Sequence, residues 1–299
     1  MKRKTWLKQA GIAAGSLIGA PAFLRKRTSP HREPVLKIAH LTDVHIRPEN
    51  DVPERFKKCL NDLFTHNFDF ILNGGDTIHA ADYDDITRKR VLEQWDAWGQ
   101  CAALFENKPV YSCLGNHDMW WAAPDKQDEM YGKNYVTKRL KMPGRYYSFT
   151  EKGWTFIILD GNNPGVSVDD EQVNWLEKKL ESLSDNSPVL IMSHYPILTV
   201  TGHFYPNDQH SDADKLSRLF YRHQDKVKCC ISGHMHLLDE AIYNGTTYYC
   251  NGAVSGFWWG DGNERSADRG YYRETPPGYA ILSLYENGQT KREYIEHDF

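Results

Sequence analysis

Five short groups of oxygen and imidazole donors punctuate the 299-residue chain: Asp43-Val44-His45, Gly75-Asp76, Gly115-Asn116-His117-Asp118, His194-Tyr195-Pro196 and Gly233-His234-Met235-His236. Carboxylate, amide and imidazole without thiolate suit Mn, Fe or Zn in a reactive centre better than a sulfur-bound structural site. Each group alone says little. A lone His-x-His is more often structural than ligating, an Asp-x-His in a loop is usually solvated, and Gly-Asp is usually a turn. Their joint order carries the meaning, because each follows directly on an apolar run.

Those runs are the elements that must position the donors. Residues 35–42 form an apolar, β-branched run, 54–64 have helical periodicity, and 68–72 are again a short apolar run. A helical stretch over 86–104, a strand at 109–112, paired strands at 146–149 and 154–159, and a helix over 171–183 follow. Next come a strand at 189–192, a helix over 213–221 and a strand at 227–231. From residue 241 onward the helical period gives way to short strands with turn signals at Asn244-Gly245 and Asn287-Gly288. No internal repeat or low-complexity tract interrupts this order. One α/β domain over 35–299, β-rich at its C-terminal end, accounts for it. Loops at the carboxyl ends of strands are where α/β sheets place their sites.

The five groups taken together resemble the calcineurin-like metallophosphoesterase superfamily, whose pattern is Asp-x-His, Gly-Asp, Gly-Asn-His-Asp/Glu, His and Gly-His-x-His. The resemblance covers residues 35 to about 237 with every motif complete. It implies a four-layer α/β/β/α sandwich of two mixed sheets. It also implies two divalent or trivalent ions (Mn, Fe or Zn), one held by Asp43, His45, Asp76 and His236, the other by Asp76, Asn116, His194 and His234. Asp76 would bridge them, using its two oxygens, and Asn116 would add an oxygen ligand without charge. Two such ions roughly 3.5 to 4 Å apart clamp the attacking and leaving oxygens of an in-line displacement at phosphorus and activate a water. His117, beside Asn116, is then placed to protonate the departing alkoxide or to stabilise the phosphorane-like charge. Asp118 would orient the His117 ring and raise its basicity; the alternative is that Asp118 only caps its loop.

With His45 rather than glycine in the first motif, the chain resembles the class III cyclic-nucleotide and glycerophosphodiesterase branch. It departs from purple acid phosphatases, which carry tyrosine where His79 stands, and from Ser/Thr protein phosphatases, which carry Asp-Arg-Gly where this chain has His79-Ala80-Ala81. Pro276-Pro277-Gly278-Tyr279 resembles the tail of exported bacterial members.

Composition bounds the rest. With 40% apolar and 13% aromatic residues the chain can build a sizeable core, and 36 basic against 40 acidic residues give a net charge of −4. Residues 1–22 hold Lys2, Arg3, Lys4 and Lys8 and no acid, so the remainder carries −8. That is no footprint for an extended nucleic acid. The basic start, the apolar stretch over 10–18 and Ala20-Pro21-Ala22 read as a signal peptide over 1–22, cut before Phe23, with a polar linker over 23–34. The apolar stretch is shorter than the roughly 20 residues of a spanning helix, so an exported protein, periplasmic or extracellular, with no membrane span after processing is expected. Residues 3–8 resemble a twin-arginine signal in which Lys4 replaces the second arginine, which leaves the ordinary secretory route open. The six cysteines read as buried free thiols.

Aromatic clusters at Met119-Trp120-Trp121 and Phe257-Trp258-Trp259 fall in apparent loops, where rings either wall a pocket or pack a core. Trp258 and Trp259 are the candidate substrate-binding residues. Arg47 and His79 could meet a substrate phosphate, although solvated loop positions are the simpler reading. The function expected is hydrolysis of a small-molecule phosphate ester, diester first and monoester second. A metal-binding scaffold without chemistry and a nuclease are the rivals, and nothing in the sequence sets the oligomeric state.

Overall fold

The computed structural model describes residues 33–105, 108–260 and 275–299. The signal segment, its cut before Phe23 and linker residues 23–32 lie outside them. The first sheet starts with β1 (Leu36–Leu41), which crosses through helix α1 (Val52–Leu63) to β2 (Phe70–Asn73) and through α2 (Arg88–Ala102) to β3 (Val110–Ser112). These three strands are parallel. The second sheet is entered by α3 (Lys133–Arg139) and the antiparallel pair β4 (Tyr147–Glu151) and β5 (Trp154–Ile158). It continues through α4 (Asp170–Ser182), β6 (Val189–Met192), α5 (Ala213–Arg222) and β7 (Val227–Ser232). β8 (Asp239–Tyr243) and β9 (Thr246–Cys250) complete it, while β10 (Gly278–Leu284) and β11 (Thr290–Glu296) return to the first sheet. The strand orders are β11-β10-β1-β2-β3 and β4-β5-β6-β7-β9-β8.

Period-two burial turns these strands into layers. On β1, Leu36 and Ile38 face one apolar cluster while Ala39 and Leu41 face another; on β6, Leu190 and Met192 are separated from Val189 and Ile191 in the same way. The shared cluster, with Phe70, Phe156 and Leu282, lies between the sheets. The two outer clusters seat Phe56 and Trp95 from α1 and α2 on the first sheet, and Leu176 and Phe220 from α4 and α5 on the second. The result is an α/β/β/α sandwich.

Local signals set the helix starts. The Thr87 side chain accepts from Arg90 N at 3.2 Å and that of Asp169 from Gln172 N at 2.9 Å, so α2 begins two residues later and α4 one residue earlier than their apolar period suggests. Helix α3, seven residues long and mostly polar, has too short a period to be read from the sequence. All six cysteines are buried and unpaired. No helix among the described residues is long and apolar enough to cross a membrane.

Candidate metal centre and active site

The carboxyl ends of β1, β2 and β3 in one sheet and of β6 and β7 in the other open onto common ground, and their loops interlock there. Asp43 N and His45 N donate to the carbonyls of Gly75 and Asp76, and Val254 N and Ser255 N to those of Thr42 and Asp43. Spaces between loops are tight: a Cβ on Gly115 would run into Asp76, and one on Gly233 into Thr42 and Asp43. Asp43, His45, Asp76, His234 and His236 all take positive φ, between 46° and 65°. Left-handed backbone at non-glycine residues is sustained only where surrounding structure over-determines it, and it gathers at functional sites.

Two groups of donors result, Asp43, His45 and His236, and Asp76, His194 and His234; within each, the ligand atoms lie within 4.8 Å of one another. Each group draws on both sheets. Asn116 Oδ1 joins the second group, 3.0 Å from His194 Nε2. Asp76 Oδ2 lies 3.1 Å from His194 Nε2 and 3.7 Å from His45 Nε2, and so faces both groups. Its other oxygen, Oδ1, accepts from His117 N at 2.9 Å.

The imidazoles are oriented by their far nitrogens. His45, His194 and His236 donate Nδ1–H to the carbonyls of His79, Gly74 and Gly256 at 3.1, 2.8 and 2.8 Å. Their Nε2 lone pairs are thereby turned inward. His45 Nε2 and His236 Nε2 stand 3.1 Å apart, a repulsive pairing for two lone pairs that a shared cation resolves. His234 is reversed: its Nδ1 is 3.3 Å from His194 Nε2, and its Nε2 looks outward to Asp208 Oδ1 at 3.9 Å. Burial opposes ionisation of Asp43 and Asp76, yet the imidazoles of His236 and His194 outweigh it and hold both carboxyls far below the usual range. Without a cation a proton takes that place on His194: burial opposes the charged ring, but Asp76 lifts its pKa to about 9. Buried carboxylates that hold positive charge, with inward lone pairs between them, fit a pair of metal cations.

A family model for calcineurin-like phosphoesterases matches residues 36–238. The chain belongs to that family. This phosphoesterase is similar in fold to a dimetal phosphatase from Danio rerio, with a TM-score of 0.63, 17% identity, and 88% of this chain and 98% of that one covered. It is also similar to GAP50, described as the anchor in the inner membrane complex of Plasmodium, with a TM-score of 0.54, 17% identity, and 87% and 84% covered. No curated protein sequence matches it. The enzyme is a hydrolase of phosphoric esters, and two groups of its side chains could each hold a metal ion.

Other candidates of the phosphoesterase fall differently from the sequence expectation. Asp118 does not orient His117. Its Oδ1 accepts from Thr77 N at 2.8 Å and Ile78 N at 3.3 Å, and its Oδ2 from Gly115 N at 2.9 Å, so it caps the loop it sits in. Burial, then the charge of Asp76, raises its pKa to about 7. The partner of His117 is Asp82, whose Oδ1 is 2.6 Å from Nδ1. Burial works against protonation of His117, but Asp76 and Asp82 outweigh it and raise its pKa. Asp82 and Asp208 escaped the sequence reading because neither has a motif; the acidic run Asp82-Tyr83-Asp84-Asp85 was the only signal.

The two tryptophans part company. Trp258 stacks on His45 with ring centroids 3.9 Å apart and lies edge-on to His117 at 4.8 Å. Trp259 is buried core, donating Nε1–H to the Val44 carbonyl at 2.7 Å. Its ring is turned into the core, whereas Trp258 stands at the centre. Adjacent residues on a strained stretch, with φ of 55° and 65°, point in different directions. Arg47 and His79 are half-buried rather than solvated; Arg47 Nε and His79 Nδ1 are buried without a partner among the described residues. His210, unassigned from sequence, is buried between Ser193 Oγ at 2.9 Å and Asp212 Oδ1 at 3.1 Å. With Ser193 only 1% exposed, this Ser-His-Asp chain is a latch on the loop that carries Asp208 and not a nucleophile.

Proposed function

We propose that this phosphoesterase hydrolyses a phosphodiester of a small molecule, with Asp43, His45, Asp76 and His236 holding one ion and Asp76, Asn116, His194 and His234 the other. Manganese, iron and zinc all suit these donors. When bound, the ions supply the positive charge that draws electrons from phosphorus and activates a water at neutral pH. The chain's own part in bond breaking falls to His117. With Nδ1 engaged by Asp82, Nε2 is the free ring nitrogen, and it delivers a proton to the departing alkoxide. Asp82 is a positioning residue that fixes the tautomer and favours the charged ring. Trp258, stacked over His45, keeps water off one side of the centre.

The observation that carries diester over monoester is the cavity of about 320 Å³ beside Asn116 and Asp82, which no lysine or arginine lines among the described residues. Guanidinium and ammonium groups are the favoured side-chain partners of a dianionic phosphate, so a lining without them suits a singly charged diester better. The test is a panel of metal-loaded turnover measurements on diesters, monoesters and pyrophosphates. A diester kcat/KM at least tenfold above that of the matching monoester is expected. A reversed order would assign a monoesterase to the same centre, and no turnover with two metals bound would assign a scaffold. In Asp76→Asn, elemental analysis should show metal lost together with activity; two ions still bound per chain would overturn the bridging role.

A further inference from the structure

The same cavity holds a feature that hydrolysis itself does not use. Besides Asn116 and Asp82 it is lined by Trp121, Tyr195 and Asn162. Trp121 is 41% exposed, one of few large apolar side chains left open on the surface. Yet its ring is held in place. Tyr131 meets it edge-on at 5.4 Å, and the backbone of Gly132, at φ 68°, lies so close that a Cβ there would come within 2.8 Å of the indole. A hydrogen bond from Gly132 N to the Trp120 carbonyl fixes that backbone, and Trp120 is anchored in turn by its Nε1–H on the Ile86 carbonyl. A rigid, half-open indole binds flat rings at little entropic cost.

Polar atoms around it are also left open among the described residues. Tyr195 packs on His234 with centroids 4.2 Å apart, and its hydroxyl makes no hydrogen bond among the described residues. Asn162 spends Nδ2 on the Leu114 carbonyl at 2.8 Å, which fixes the amide, and its Oδ1 is an open acceptor among the described residues. The cavity thus offers an immobilised aromatic face, a hydroxyl and a fixed acceptor directly beside Asn116 and His194. Its volume, about 320 Å³, matches the small end of ligand pockets.

We infer that Trp121 and Tyr195 are specificity-determining residues that grip a flat aromatic ring on the organic part of the ester, with Asn162 Oδ1 accepting from an N–H on the ring's edge. The inference rests on the phosphoesterase reading for the placement of phosphorus, but the grip itself does not need turnover. Trp258 does not line this cavity and is not part of the grip.

The test separates the two. Adenosine, a flat ring with an exocyclic N–H and no phosphate, is titrated calorimetrically into the metal-loaded protein, its Trp121→Ala and Trp121→Phe variants, and Asn162→Asp. Removing one stacking partner should weaken binding about tenfold or more, while Trp121→Phe should recover most of it. Melting temperatures of the same samples exclude unfolding as the cause. In parallel, the ratio of kcat/KM for an adenosine-bearing diester to that for dimethyl phosphate should fall about tenfold in Trp121→Ala. Equal adenosine affinity in wild type and Trp121→Ala, or no binding at millimolar concentration, overturns the inference. If no ester is turned over by any variant, the hydrolase reading fails while the binding comparison still decides the pocket.

Discussion

Two aspartates close to His117 are expected to behave in opposite ways when replaced. Asp82 touches the ring, so Asp82→Asn should lower kcat on alkyl esters by about 10²-fold, the lower end of what positioned proton transfer contributes. An ester with a 4-nitrophenolate leaving group needs no proton and should lose far less. The ratio of the two rates is the readout, since a merely structural defect would depress both alike; an unchanged ratio would remove Asp82 from the mechanism. Asp118 accepts from three backbone N–H groups and touches no ring. Asp118→Ala leaves buried donors unpaired, at about 1–3 kcal/mol per group. Its melting temperature should fall steeply while the leaving-group ratio stays as in the wild type.

At the scale of elements, the stretch from Ser255 to Gly260 joins the second sheet's last loops to helix α1. Trp259 packs against Phe56 of α1, and Arg55 lies 5.0 Å over its ring while donating to its carbonyl at 2.8 Å. Loss of this buried indole should cost about 3 to 5 kcal/mol, seen as a shifted denaturation midpoint. Trp258 is half-buried and stacks on a candidate ligand instead. Trp258→Ala should therefore change kcat/KM more than stability, and a midpoint shift as large as that of Trp259→Ala would place Trp258 in the core as well. The same stretch explains why the pair could not be split beforehand. Both residues follow one glycine in an aperiodic loop, and only the packing each meets, His45 for Trp258 and Phe56 for Trp259, decides which ring turns inward.

For the whole molecule, the decisive arrangement is that each donor group joins residues of one sheet to residues of the other. Ions bound there would tie the two sheets together at one edge of the sandwich, and a ligand that binds only the folded chain stabilises it by mass action, by about 2.7 kcal/mol at a hundredfold excess over Kd. Calorimetry of the metal-loaded and chelator-treated protein should show a clear fall in melting temperature on chelation. Equal melting temperatures would mean that the donors do not hold ions across the sheets.

Much of this was legible along the chain. The apolar runs of 189–192 and 227–231 lie in the observed strands β6 and β7, and the alternating elements announced a layered α/β fold, because side-chain period and β-branched content are local properties. The seven metal-ligand candidates were equally visible, since each sits at the end of an apolar run in a recurring short pattern, and the structure brings all seven into two adjoining groups. What stayed hidden depends on which distant loops meet. Asp82 finds His117 across 35 residues, and Asp208 comes to face His234 through a loop latched by His210. Trp121 becomes a rigid open face only once Tyr131 and Gly132 close beneath it. A carboxylate or an indole carries no mark of its eventual neighbour, because burial and charge are set by the packed loops around it and not by its own stretch of chain. The donors' identity and order were therefore determined by sequence; their orientation, partners and pocket were decided by tertiary structure.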